Sequence, residues 1–208
     1  FALADGTVRV VNSASGRCER TFVGHIDGVF SAIFSADATR VLTASKDGTA
    51  RLFDVATSQC EQTFCGHYGW VRSAEFSPCE REVLTACVDG AVRLFDAASG
   101  DSRRVFQRHG GSIRRAVFSP DGTRVLTASD DGTAKLFSAP TGRLEQTFGG
   151  HDGGLLWSAA FSENGEKVLS ASSDATAKLF MVETGACEQT FHGHGGMVFT
   201  AVFSPCPA

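Results

Sequence analysis

Short runs of β-branched and aromatic residues alternate along this chain with brief segments rich in Gly, Asp, Asn, Ser and Pro, and no ten-residue stretch has apolar residues at helical spacing. One stretch shows the pattern. VFSAIF at 29–34 ends at a Ser-Ala turn, RVLTAS follows at 40–45, a tight Lys46-Asp47-Gly48 turn leads into TARLFD at 49–54, and a loop leads on to QCEQTF at 59–64. Each run suits a strand, and each connection carries residues suited to turn geometry. The pattern predicts antiparallel strands near 29–34, 40–45, 49–54 and 60–65, with counterparts 42 or 43 residues further on.

The unit recurs. His25, His67, His109, His151 and His194 are spaced by 42, 42, 42 and 43 residues. FSADATRVLTASKDGTARLFD, FSPCEREVLTACVDGAVRLFD, FSPDGTRVLTASDDGTAKLFS and FSENGEKVLSASSDATAKLFM begin in step at Phe34, Phe76, Phe118 and Phe161. Among repeat architectures, a period of about 40–45 residues belongs to the β-propeller class. Four complete four-stranded blades are expected at 25–66, 67–108, 109–150 and 151–193, with partial blades at 1–24 and 194–208. The chain opens on FALAD, which matches the tail of a second strand, and closes on FSPCPA after a lone first strand. Without an initiator Met, and halting where the next RVLTAS would begin, it reads as an open arc from a longer chain rather than a closed five-bladed ring. The unpaired edges of such an arc allow self-association.

The Gly-His pair, the Asp-Gly-Thr turn and the aromatic-Asp endings Phe53-Asp54 and Phe95-Asp96 resemble the WD-repeat family over essentially the whole chain. SSDATAKLF and CEQTFHGH are similar to repeats of heterotrimeric G-protein β subunits. The resemblance implies an all-β propeller. The chain departs from it where the family's tryptophan is replaced by Phe53, Phe95, Phe137 and Phe180, with Val11 in the first, partial copy, and where the closing aspartate is Ser138 and Met181.

Each full unit also holds a histidine, a hydroxyl and an aspartate: His25, Thr43, Asp47; His67, Thr85, Asp89; His109, Thr127, Asp131; His151, Ser170, Asp174. These are the residue types of a catalytic triad, but a nucleophilic site has no reason to recur in register with strands. The resemblance implies a structural hydrogen-bond chain running aspartate, histidine, hydroxyl, indole. Phenylalanine has no N–H, so the last link is absent here. The recurring phenylalanines read as core between blades: Phe34, Phe76, Phe118, Phe161 and Phe203 closing the first strands, and Phe22, Phe64, Phe106, Phe148 and Phe191 in the fourth.

Composition narrows the function. A net charge of −4 repels a phosphate backbone, which argues against a nucleic-acid partner. No apolar stretch approaches the roughly 18 residues that cross a bilayer, so no membrane partner is expected. The opening FALADGTVRVV has no charged start or cleavage site, and an intracellular, cytoplasmic placement is expected. Seven cysteines, none in C-x-x-C spacing, suggest neither zinc nor a redox centre. Cys18, Cys60 and Cys187 share a repeat position with Leu144, and so read as reduced, part-buried thiols. Without a P-loop, a metal cluster or a polar constellation that occurs once, no catalytic residue, metal or cofactor is expected.

A scaffold repeats, so its binding positions are those that vary. Phe30, Arg72, Arg114, Trp157 and Phe199 occupy one repeat position near the start of the first strand, with Gly28, Trp70, Ser112, Leu155 and Met197 two residues earlier. The resemblance places them on the top face, beside Lys46, Val88, Asp130 and Ser173. Large aromatics, Arg and Met dominate interface hot spots, so Trp70, Arg72, Arg114, Trp157, Phe30, Met197 and Phe199 are the candidate partner-binding residues, for other proteins or peptides. Arg103, Arg104, Arg108, Arg114 and Arg115 suit an acidic or phosphorylated peptide, although a solvated face with Glu75 balancing Arg115 is the simpler reading. The expected function is a non-catalytic interaction scaffold; the alternative is a regulatory or targeting propeller of a multidomain enzyme whose catalytic part lies outside this chain.

Overall fold

A computed structural model of the chain describes residues 1–151 and 153–204. Among them there is no helix, and nothing long and apolar enough to cross a membrane as one. A two-stranded ribbon, β1 (Val8–Val11) and β2 (Cys18–Phe22), comes first. Four antiparallel four-stranded sheets follow: β3 (Val29–Phe34), β4 (Arg40–Ser45), β5 (Ala50–Asp54) and β6 (Cys60–Phe64); β7 (Val71–Phe76), β8 (Glu82–Cys87), β9 (Val92–Asp96) and β10 (Ser102–Val105); β11 (Ile113–Phe118), β12 (Arg124–Ser129), β13 (Ala134–Ser138) and β14 (Leu144–Phe148); β15 (Leu156–Phe161), β16 (Lys167–Ser172), β17 (Ala177–Met181) and β18 (Cys187–Phe191). Strand order follows chain order in every sheet, as expected when each connection is a short turn. The strands fall within a residue of the expected positions except β10, which ends two residues early, and this is the blade architecture the sequence period predicts.

The chain divides into two compact units, one comprising Phe1–Asp89 with Arg93–Val105 and the other Gly90–Val92 with the residues from Phe106 onward. In the first unit β7 packs against β3 and β4, and in the second β15 packs against β11 and β12. Second strands are the driest elements: Val41, Leu42, Ala44 and their counterparts are almost fully buried. Tilted pairs of phenylalanines recur within each unit, three of them joining the fourth strand of one sheet to the third strand of the next and one starting from Phe106, just past β10. Phe22 meets Phe53, Phe64 meets Phe95, Phe106 meets Phe137 and Phe148 meets Phe180, at centroid separations of 5.3–5.4 Å. That is a favourable aromatic geometry, and it uses the very phenylalanines that replace the family's tryptophan.

The stacking rule explains two departures from the expected core. Phe34 is 49% exposed and Phe191 is 37% exposed, whereas Phe76, Phe118, Phe64 and Phe148 are buried. β7 is covered by the first two strands of the sheet before it, but only a third and a fourth strand, β1 and β2, precede β3. Phe191 in β18 has no following third strand to stack on among the described residues. Phe161 and Phe203 are half-buried. Residues 194–204, expected to supply a first strand, form no strand, although Val198 N–H reaches Ser172 O at 2.9 Å.

Cys18, Cys60 and Cys187 are free and exposed, not part-buried. They start the edge strands of their sheets, at positions open to solvent, where a small apolar residue is tolerated rather than required. The turn between second and third strands needs a left-handed residue, met by Gly48, Gly90 and Gly132 at φ near 80°. In the fourth sheet Ala175 adopts φ 67° instead, at a cost of about 1–2 kcal/mol.

Candidate functional site

Each first strand carries a bulge at its second residue. Val29 pairs with Ser45 and Ser31 with Ala44, leaving Phe30 as the extra residue; Arg72, Arg114 and Trp157 stand out of register in the same way. A bulge releases its residue from the pleat and re-aims the side chain. This is the structural reason that the repeat position is free to vary, and sequence spacing alone does not reveal it.

In the first unit the position builds a mixed aromatic and cationic surface. Phe30 and Trp70 lie with ring centroids 5.9 Å apart, and Trp70 is 44% exposed. The Arg72 guanidinium carbon sits 4.7 Å from the Phe30 centroid and 5.6 Å from that of Trp70. Lys46 Nζ lies 5.6 and 5.5 Å from the same two centroids. Both cations thus rest on ring faces within cation–π range.

The second unit arranges its residues differently. Arg114 lies 4.2 Å over the Trp157 ring and is held in a fork by Asp130, with Nε donating at 2.6 Å and Nη2 at 2.9 Å. Phe199 meets Trp157 edge-on at 5.0 Å. Trp157 is half-buried, and its indole N–H is buried without an acceptor. Met197 and Phe199 are 57% and 60% exposed. The arginine group divides likewise. Arg103 and Arg104 belong to the first unit, where Arg103 pairs with Asp96 and, at 3.5 Å, with Glu82; Arg108, Arg114 and Arg115 belong to the second.

Beneath the turns lie the recurring polar residues. Histidine Nδ1 donates to the aspartate at 2.7 Å in His25–Asp47, at 2.8 Å in His109–Asp131 and at 2.8 Å in His151–Asp174, and lies 3.4 Å from it in His67–Asp89. Nε2 sits 2.6–2.7 Å from the hydroxyls of Thr43, Thr85, Thr127 and Ser170. Where an indole would donate there is a phenyl ring: Phe53 meets the His25 imidazole edge-on at 6.4 Å. The hydroxyls also face backbone carbonyls, those of Arg51, Arg93, Lys135 and Lys178, at 3.2–3.4 Å. The threonine of Asp-Gly-Thr belongs to the network as well, since Thr49, Thr133 and Thr176 donate to the aspartate Oδ1 at 2.7 Å. The second unit of the repeat has Ala91 there, and Cys87 where the others have Ser45, Ser129 and Ser172.

Electrostatics fix the protonation states. Burial holds the His25 and His109 imidazoles below their ordinary 6.5, against the opposing pull of Asp47 and Asp131. Burial pushes the Asp131 carboxyl up, but hydrogen bonds from Thr133 and His109 outweigh it and bring the group down to about 2. Asp47 and Asp174 shift the same way for the same reasons. Burial drives the Cys87 thiol up to about 12.

These shifts make the fold acid-sensitive. An imidazole depressed on folding stabilises the protein above about 6.5, and that stabilisation is lost as pH falls toward the folded value. The depressed Asp131 carboxyl contributes above its ordinary 3.8, and its contribution is lost as pH falls toward about 2. Thermal melts should therefore show a falling Tm between about pH 7 and pH 5 and a steeper fall below about pH 4. A Tm that stays flat from neutral pH to about 5 contradicts the burial of neutral histidines.

The family model for the WD domain, G-beta repeat, matches residues 16–54, 58–96, 100–138 and 142–180. Each matched stretch takes the last strand of one sheet and the first three of the next, so each contains one of the stacked phenylalanine pairs. No curated protein matches the chain.

Proposed function

The chain belongs to the WD-repeat family, and on that premise we propose that it is a non-catalytic scaffold which binds a peptide segment of another protein on the surface made by Phe30, Lys46, Trp70 and Arg72. WD repeats in general mediate protein–protein interaction. The observation that carries the reading is Trp70: an indole 44% exposed, braced by a second aromatic ring and bracketed by two cations. A large aromatic left at the surface on a rigid support suits a contact hot spot, because its conformation is already restricted before the partner arrives. The flanking Lys46 and Arg72 favour a ligand that presents a carboxylate or phosphate beside an apolar side chain. The six described cysteines are free thiols, which supports an intracellular setting.

The two tryptophans separate in role. Trp157, half-buried under Arg114 and against Phe199, supports its own unit, while Trp70 has less to lose on truncation. Peptides selected from a displayed library against the intact chain supply a ligand. Trp70→Ala should then weaken its binding by roughly thirtyfold, about 2 kcal/mol, with Tm unchanged within a few degrees. Trp157→Ala should lower Tm instead. Undiminished affinity in Trp70→Ala refutes this surface as the docking site.

A further inference from the structure

The four repeats serve as internal controls for one another, and in this network the second differs from its sisters at two positions. In the other three, a serine hydroxyl accepts the aspartate N–H at 3.1–3.2 Å, and the turn threonine donates to the aspartate and lies 3.2–3.5 Å from histidine Nδ1. In the second, serine becomes Cys87 and threonine becomes Ala91. The Cys87 thiol keeps the serine's part, accepting the Asp89 N–H at 3.4 Å, and in addition brings a soft sulfur ligand beside the histidine and the aspartate. We propose that His67 Nδ1, Cys87 Sγ and an Asp89 carboxylate oxygen form a three-ligand site for a divalent metal of the zinc class, completed by water.

One ligand atom from each of the three residues lies within 4.8 Å of the others, close enough for a bound metal to draw them together. Zn–N and Zn–O bonds of about 2.0–2.2 Å and a Zn–S bond of about 2.3 Å place tetrahedral ligand atoms roughly 3.3–3.6 Å apart. The His67–Asp89 separation of 3.4 Å falls in that range, whereas the sister pairs at 2.7–2.8 Å are at hydrogen-bond distance. On binding the metal the Cys87 thiol gives up its proton to water, and the resulting thiolate, with imidazole and carboxylate, is a borderline-soft donor set that suits zinc over magnesium or calcium. The surroundings orient the ligands. Tyr68 N–H holds Asp89 Oδ2 at 3.1 Å. With a metal on Nδ1, His67 Nε2–H donates to Thr85 Oγ1 at 2.7 Å and the threonine O–H donates to Arg93 O at 3.4 Å, so the hydroxyl accepts on one side and donates on the other. Second-shell support of this kind fixes the tautomer of a ligating histidine. The His67 side chain is fully buried and Asp89 keeps only a 6% exposed edge, which limits approach to that edge.

Co2+ and Zn2+ are the probes, applied to the whole chain kept reduced. Co2+ titration should produce a near-ultraviolet thiolate-to-cobalt band saturating at one ion per chain. Zn2+ at about a hundredfold excess over its Kd should raise Tm by roughly 5–10 °C. Cys87→Ser installs the residue that three sister repeats carry, so it folds, and it leaves the exposed Cys18, Cys60, Cys65, Cys79 and Cys187 in place. This variant should lose both the band and the Zn2+ shift. A band that survives Cys87→Ser, or its absence from the unaltered chain, overturns the proposal.

Discussion

Replacing Phe95 by alanine is expected to destabilise the chain by about 3–5 kcal/mol, while Phe34→Ala costs under about 1 kcal/mol. Both are recurring phenylalanines, Phe95 in a third strand and Phe34 at the end of a first, and they differ sharply in burial. Phe95 is 1% exposed and lies in a cluster with Leu52, Phe64, Val83 and Ala97. Its ring stacks on Phe64 at 5.4 Å, across the junction between two sheets. Truncation leaves a cavity that two sheets border and neither can close by itself. Phe34, 49% exposed, already spends half its surface in water. Denaturant titration of the two variants reads the contrast directly. Equal midpoints would show that the stacked pairs do not hold neighbouring sheets together.

Asp131→Ala should cost about 1–3 kcal/mol, and Thr133→Ala clearly less. Asp131 accepts from His109 Nδ1 at 2.8 Å, from the N–H groups of Gly110 and Thr133 at 3.0 Å each, and from the Thr133 hydroxyl at 2.7 Å. Removing the carboxylate strips the acceptor from a buried imidazole and two backbone donors at once, and buried donors without partners carry the full desolvation cost. Removing the threonine hydroxyl takes away one donor of several, a change the second repeat already carries at Ala91. Asp131→Ala should also make the fall in stability below about pH 4 shallower, because one of the depressed carboxyls that produce it is gone while those of Asp47 and Asp174 remain. Small, equal losses in both variants would mean that the network contributes little.

Much of this was legible in the sequence, because a propeller blade repeats its physics. Alternating apolar runs and Asp-Gly turns locate the strands of the four sheets to within a residue, β10 apart, and the 42-residue period assigns the architecture. Burial was less legible, since it belongs to neighbours rather than to residues. Phe34 and Phe191 occupy the same repeat positions as buried copies, and what stands beside them sets their exposure. The exposed cysteines show the converse: tolerance of leucine at a position was read as burial, when an outer edge strand tolerates either. The bulge at Phe30, Arg72, Arg114 and Trp157 was visible only as variability, without its cause. Nor does spacing bring His67 to Cys87 and Asp89; the fold of the turn does that.

Oxidative footprinting of the intact chain, free and with a bound selected peptide, tests the central claim most directly, because it reports where contact occurs without altering the protein. Trp70, reactive when free, should be protected together with Phe30, while Phe34, similarly exposed but on the uncovered first strand, should keep its reactivity. Protection at Phe34 or Phe191 with Trp70 unchanged would place the partner on the sheet edges and contradict the account.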